Sequence, residues 1–280
     1  MTHDAIASGW ILTTWAILKS VIVIYLALVA FVYLFQRRMQ YYPDRRPVFP
    51  PPDPAYSEIQ DISFTTSDGQ RLSAWYWPAS KPVTLVLFHG NAGNRADRLS
   101  WIDGLHELGY GVLIPDYRGY GGSEGQPSEE GLYLDAQAAV KWLKTKSSSQ
   151  VVYLGESLGS AVAVETALRV KPSSLILQSG FSSALAVASH VYPYLPVRLM
   201  MKDRYECLDK IPRIGCPLLM IHGEHDSVIP IRLGRALYDA AVEPKQWLSI
   251  PGADHNDVPW VGAQTYWNSV SSFLKQTTGH

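Results

Sequence analysis

The feature that most constrains how this chain can fold is the stretch 151–160, which reads Val-Val-Tyr-Leu-Gly-Glu-Ser-Leu-Gly-Ser. A short β-branched run ends in Gly-x-Ser-x-Gly, and an Ala/Val/Leu segment of helical character follows over 161–170. Strand, sharp turn and helix in that order suit a serine held in strained geometry with its hydroxyl exposed. Gly155 and Gly159 stand where a side chain would collide with neighbouring backbone. Ser157 is therefore the candidate nucleophile. A plain Gly/Ser turn could carry the same five residues, so the other parts of a site must be sought elsewhere in the chain.

Around this turn the chain repeats apolar strand, loop and amphipathic helix, which predicts a mostly parallel sheet with helices on both faces. The expected parallel strands are 83–88, 111–115, 151–154, 174–178, 217–221 and 246–250, with helices over 94–108, 128–146, 157–170, 231–241 and 262–276. Two alternating runs, 58–65 and 71–77, are joined by Ser67-Asp68-Gly69 and read as an antiparallel start, giving eight strands in all. The stretch 181–209 breaks the rhythm. It is far longer than an ordinary connection and reads as a short cap insert, with Tyr192, Leu195 and Met200 as substrate-facing candidates and Pro193 and Pro196 interrupting any long helix.

A serine hydroxyl needs a base to take its proton and a third group to orient that base. Two loops after predicted strand ends offer them: His222-Gly223-Glu224-His225-Asp226 and Gly252-Ala253-Asp254-His255-Asn256-Asp257. The order Ser157, Asp226, His255 is nucleophile, acid, base. Glu224 and Asp254 are the other carboxylates available. Asp226 ranks first because Asp254 adjoins His255, and neighbouring extended side chains point apart. His222 and His225 lack the helical frame of a metal pair and read as structural, so no metal site is expected. Oxyanion donors are expected from the backbone N–H of Leu158 and, in the glycine-rich loop 88–94, from that of Asn91, with Ala92 as second choice. His89 reads as ordering that loop.

These motifs, together with Asp116-Tyr117-Arg118-Gly119-Tyr120-Gly121-Gly122-Ser123 and Cys216-Pro217, resemble the α/β-hydrolase superfamily. Within it the chain looks like the membrane-anchored bud-emergence-protein-like or serine-aminopeptidase-like subgroup. The resemblance covers roughly 58–274 and implies an α/β-hydrolase fold, a serine triad and no cofactor. It leaves the substrate open, because this fold hosts many chemistries. The leading expectation is a serine hydrolase acting on an ester or thioester of a small-molecule or lipid-like acyl substrate. An aminopeptidase would need an acidic cluster for the substrate ammonium, and Asp203, Glu206 and Asp209 alternate with Lys202, Arg204 and Lys210 as on a solvated face. A non-catalytic receptor built on the same fold is a third class, disfavoured by the full set of catalytic residue types.

The amino-terminal part is different. From Trp10 to Phe35 the only charge is Lys19, which can snorkel to an interface, so residues 1–36 read as a membrane anchor. A cleaved signal peptide fits less well, because no Lys or Arg precedes Lys19. Arg37, Arg38, Arg45 and Arg46 just after the run put the following domain on the cytoplasmic side of a single-pass protein. Residues 37–57 read as a basic, proline-rich spacer, and 58–280 as the hydrolase domain. A net charge of -1 gives no footprint for nucleic acid, and two cysteines, Cys207 and Cys216, make no disulfide framework. Oligomeric state is not legible.

Overall fold

The structure is a computed structural model that describes residues 3–78 and 80–280, with side chains from Trp10 onward except that of residue 11. Helix α1 (His3–Gln40) runs for 38 residues, beyond both ends of the expected apolar run, because no proline occurs before Pro43. At 1.5 Å per residue it is roughly 57 Å long, against about 30 Å of bilayer hydrocarbon. Its segment Leu12–Gln40 is long and apolar enough to cross a membrane.

After α1, strand β1 (Tyr42–Pro43) pairs in parallel with β5 (Ala92–Gly93). The main sheet contains β2 (Gln60–Thr65), β3 (Arg71–Trp77), β4 (Val83–Phe88), β6 (Gly111–Pro115), β7 (Gln150–Glu156), β8 (Ser174–Gln178), β9 (Leu218–Gly223) and β10 (Lys245–Ile250). Their order is β10-β9-β8-β7-β4-β6-β3-β2. The sheet is mixed: β3 runs against both β2 and β6, and the remaining pairs are parallel. Strands such as β4, apolar at nearly every position, are buried on both faces, as central parallel strands must be. Val83, Leu85 and Leu87 pack with α2 (Leu99–Glu107) and α8 (Val258–Thr278). Val86 and Phe88 pack with α3 (Glu129–Lys146) and α4 (Leu158–Arg169). Helix α7 (Ile231–Ala240) joins the second layer through Leu233 and Leu237.

Two helix starts differ from expectation. The expected helix at 94 opens as a 3-10 turn, Arg95–Arg98, where Asn94 and Asp97 form a reciprocal capping box. Helix α8 begins at Val258 instead of 262, with a proline in its first turn and a kink at Ala263, whose φ is 40°. The insert 181–209 contains α5 (Ala184–Val191) and the single turn α6 (Val197–Met200), separated by the segment holding Pro193 and Pro196.

The expected spacer 37–57 lies along the domain instead of standing off from it. Tyr41 is buried, and its hydroxyl meets that of Tyr205 at 2.8 Å. The Val48 carbonyl accepts from Arg95 Nη2 at 2.5 Å. A proline-rich extended segment offers carbonyls with few competing N–H groups, and buried Arg95 needs acceptors. A soluble version beginning at Pro54 is therefore expected to melt below one beginning at Gln40, since each buried polar group left unpaired costs about 1–3 kcal/mol. Equal melting temperatures in a thermal scan would contradict this packing. Asp203 also departs from the solvated face expected of it: it is buried and accepts from Arg37 Nε at 2.7 Å and Nη2 at 3.0 Å.

Candidate active site

Ser157 caps the amino end of α4 with φ 51° and ψ -117°. A non-glycine residue held there stores about 1–3 kcal/mol of strain and persists only when its surroundings fix it. They do so through the flanking glycines. A Cβ on Gly155 would lie 2.5 Å from the Gly159 carbonyl oxygen, and one on Gly159 would overlap the carbonyl oxygen of Phe88. Gly159→Ala is thus expected to destabilise the fold by at least about 3 kcal/mol, because the obstacle is backbone of a central strand. A shift of under about 1 kcal/mol in urea unfolding would count against this packing. Ser157 is buried as a residue and lines a cavity.

His255 follows β10 and Asp226 follows β9, both at the carboxyl end of the sheet where β7 delivers Ser157. Nε2 of His255 lies 3.0 Å from Ser157 Oγ, and its Nδ1 lies 2.8 Å from Asp226 Oδ2. An ionised carboxylate only accepts, so Nδ1 carries the proton and Nε2 is free to accept from the serine. Asp226 Oδ1 accepts from the amides of Ile229 at 2.7 Å and Val228 at 3.0 Å. Burial by itself would raise the Asp226 carboxyl, but His222 Nε2 at 3.4 Å, the hydrogen bond from His255 and those from the backbone outweigh it and hold the group well below the usual carboxylate range. His222 sits buried behind it, donating Nε2–H to the Ile229 carbonyl at 2.9 Å. His225 is exposed. Of the other carboxylates, Asp254 turns to Ser227, accepting from its amide at 2.7 Å and its hydroxyl at 2.8 Å, and Glu224 is exposed. Among the described residues no three His, Cys, Asp or Glu side chains group as a metal site.

The loop after β4 is clamped from several sides. Asn91 accepts at its carbonyl from the Tyr42 amide at 2.9 Å and the Tyr120 hydroxyl at 2.8 Å, and its Nδ2 donates to the last carbonyl of α1, Gln40, at 2.9 Å. The backbone N–H groups of Asn91 and Leu158 have no acceptor among the described residues, and both residues line the cavity beside Ser157. His89 is fully buried, and burial lowers its pKa to about 3, so it stays neutral. Its Nδ1 meets the Gly90 carbonyl at 2.8 Å, and its own carbonyl accepts from Tyr117. Arg118 is tied to Asp68 and Asp135, away from the cavity lining. Sequence reasoning missed Glu156, which joins the two halves: its Oε2 accepts from the Gly90 amide at 2.9 Å and from Arg98 Nε at 2.9 Å. A carboxylate beside the serine at the end of an apolar strand was the available signal.

The cavity above Ser157 has a volume of about 450 Å³. Tyr192, Leu195 and Met200 line it, together with Val187 and Val191 of the insert. Val32, Gln36 and Met39 of α1 also line it, and nothing in the sequence singled them out.

Comparison with known proteins agrees with this architecture. Residues 83–205 match the family model of the alpha/beta hydrolase fold. The chain is 39% identical over 260 residues to an uncharacterized protein of Mycobacterium tuberculosis, covering 89% of this chain and 90% of the relative. It is 33% identical over 281 residues to the alpha/beta hydrolase domain-containing protein WAV2 of Arabidopsis thaliana, covering 89% and 90%. Lysophosphatidylserine lipase ABHD12 of Danio rerio is 38% identical over 195 residues, 61% of this chain and 51% of that protein. Among solved structures, the Pyrococcus furiosus esterase Pf2001 superposes with a TM-score of 0.73 at 24% identity, covering 85% of this chain and 97% of that one. The chain belongs to the α/β-hydrolase family.

Proposed function

We propose that this protein is a membrane-anchored serine hydrolase that cleaves a carboxylic ester or thioester of a lipid-like acyl substrate. The observation that carries this reading is His255, bonded on one side to Ser157 Oγ and on the other to Asp226, at the foot of an apolar cavity. Ser157 attacks the acyl carbonyl as His255 Nε2 takes its proton. The carbonyl oxygen gains charge and is held by the N–H groups of Leu158 and Asn91. His255 then protonates the leaving alcohol or thiol, leaving an acyl-serine. Water, deprotonated by the same His255, releases the acid and restores the serine. Asp226 keeps the imidazole in the productive tautomer.

The acyl group lies against Tyr192, Leu195 and Met200. A relative named for lysophosphatidylserine supports a lipid-like substrate. In this reading α1 crosses the membrane, and Arg37, Arg38, Arg45 and Arg46 place the domain on the cytoplasmic side. The serine-aminopeptidase-like activity of the resembled subgroup is disfavoured, because among the described residues no Asp or Glu lines the cavity and Asp203 is committed to Arg37. Turnover of p-nitrophenyl esters against aminoacyl p-nitroanilides tests the choice: ester turnover is expected to dominate. Faster amide turnover would overturn the assignment.

A further inference from the structure

The insert does more than roof the cavity, because it runs beside α1 over a long stretch. Tyr25 Oη donates to the Tyr194 carbonyl at 2.9 Å. Farther along, Gln36 Nε2 donates to the Met200 carbonyl at 3.1 Å, and Lys202 N donates to Gln36 Oε1 at 2.7 Å. Lys202 Nζ lies 4.5 Å from the centre of the Tyr33 ring, and Arg37 closes the series on Asp203. From Tyr25 to Arg37 is roughly 18 Å along a helix axis. A span of about 20 residues ending anywhere between Phe31 and Phe35 puts Tyr25, and the Tyr194 backbone bonded to it, about 9–15 Å inside the hydrocarbon.

The outer surface of the insert suits that position. Tyr194 and Leu199, which do not line the cavity, are 62% and 86% exposed. The cations near them, Arg38, Arg198 and Lys202, are exposed too and gather toward the Arg37 end, where headgroups would lie. We infer that the segment around Tyr194 and Leu199 is a second membrane-binding element, inserted beside α1 among the acyl chains of one leaflet, and that the substrate's acyl chain passes from that leaflet into the cavity. The walls of the cavity fit this route, since Val32 and Gln36 of α1 face the same space as Val187, Val191 and Leu195 of the insert. The inference rests on α1 being a membrane span, and the acyl-transfer part rests on the hydrolase reading above.

The test uses the full chain in phosphatidylcholine vesicles, with single cysteines at Tyr194→Cys and Leu199→Cys carrying an environment-sensitive fluorophore. Ile24→Cys reports on α1, and Lys144→Cys reports on the opposite end of the sheet, just before β7 begins. The native Cys207 and Cys216 are buried. Phosphatidylcholine bearing a nitroxide on its acyl chain is expected to quench the labels at 24, 194 and 199 and to leave 144 bright. Quenching at 24 alone would overturn the insertion of the cap while sparing the anchor, as it would if a second copy of the chain covered this face. Absence of quenching at 24 would overturn both.

A functional arm separates this from the triad. The double variant Leu199→Asp with Tyr194→Asp is expected to lose about tenfold or more of its turnover of a vesicle-borne palmitoyl ester, because charge opposes interfacial burial. Its turnover of p-nitrophenyl acetate should be unchanged. Undiminished turnover of the vesicle-borne ester would overturn the route. Wild type that turns over neither ester would defeat the hydrolase reading, while the quenching pattern would still decide the insertion.

Discussion

Replacing Ser157 with alanine is expected to cut ester turnover by about 10⁶-fold, the scale seen when a triad nucleophile is removed. The hydroxyl lies 3.0 Å from His255 Nε2 and lines the cavity floor. In the chemistry proposed here it forms the covalent bond, so His255 and Asp226 have no step left to assist once it is gone. Residual rate over water would come from the N–H groups of Leu158 and Asn91 and from binding. The fold should be nearly unaffected, because alanine is strained at φ 51° to much the same degree as serine and the flanking glycines are untouched. The check is kcat on a p-nitrophenyl ester alongside thermal unfolding. A variant that folds like wild type yet keeps more than about 1% of its kcat would place the nucleophile elsewhere.

Asp226→Asn is expected to lower kcat by about 10⁴-fold, with a smaller effect on KM. The amide can offer its N–H₂ to His255 and stabilise the tautomer with the proton on Nε2, which cannot take the proton of Ser157. The same substitution carries a pH signature in stability. The folded-state pKa of Asp226 is depressed below its unfolded value. The unfolded chain therefore binds the extra proton first as pH falls, so the carboxylate contributes stability above the unfolded value of about 4 and loses it progressively below. Urea midpoints of wild type should fall relative to Asp226→Asn as pH drops through about 4 toward 3, and parallel curves would contradict the environment described for this carboxyl.

Why much of this was legible in the sequence follows from where the residues sit. A mostly parallel sheet delivers functional groups at the carboxyl ends of its strands. Ser157, Asp226 and His255 each follow an apolar run short enough to read as a strand, and the structure brings the three together. Asp226 could be preferred to Asp254 from chain geometry alone. The insert announced itself by interrupting a regular rhythm, and Pro193 and Pro196 indicated that no long helix would form there.

What was hidden shares a different cause. A membrane-length helix is apolar all round, so periodicity cannot mark Val32 or Met39 as facing a cavity. Asp203, set among alternating charges, looked solvated because its partner Arg37 lies 166 residues away. Arg98 and Glu156 are 58 residues apart, and Tyr41 and Tyr205 are 164 apart. Pairings of that range depend on the folded topology and leave no local pattern. The proline-rich stretch was misread as a spacer for the same reason, since its carbonyls serve a buried arginine that only the fold brings near.

The most direct measurement is active-site labelling of the full chain with a fluorophosphonate, followed by mass spectrometry of the digested protein. A single adduct on the peptide carrying Ser157, absent from Ser157→Ala and strongly slowed in His255→Ala, is the expected result. Well-folded protein that turns over esters while Ser157 stays unmodified, or that is labelled equally in both variants, would contradict the serine hydrolase mechanism.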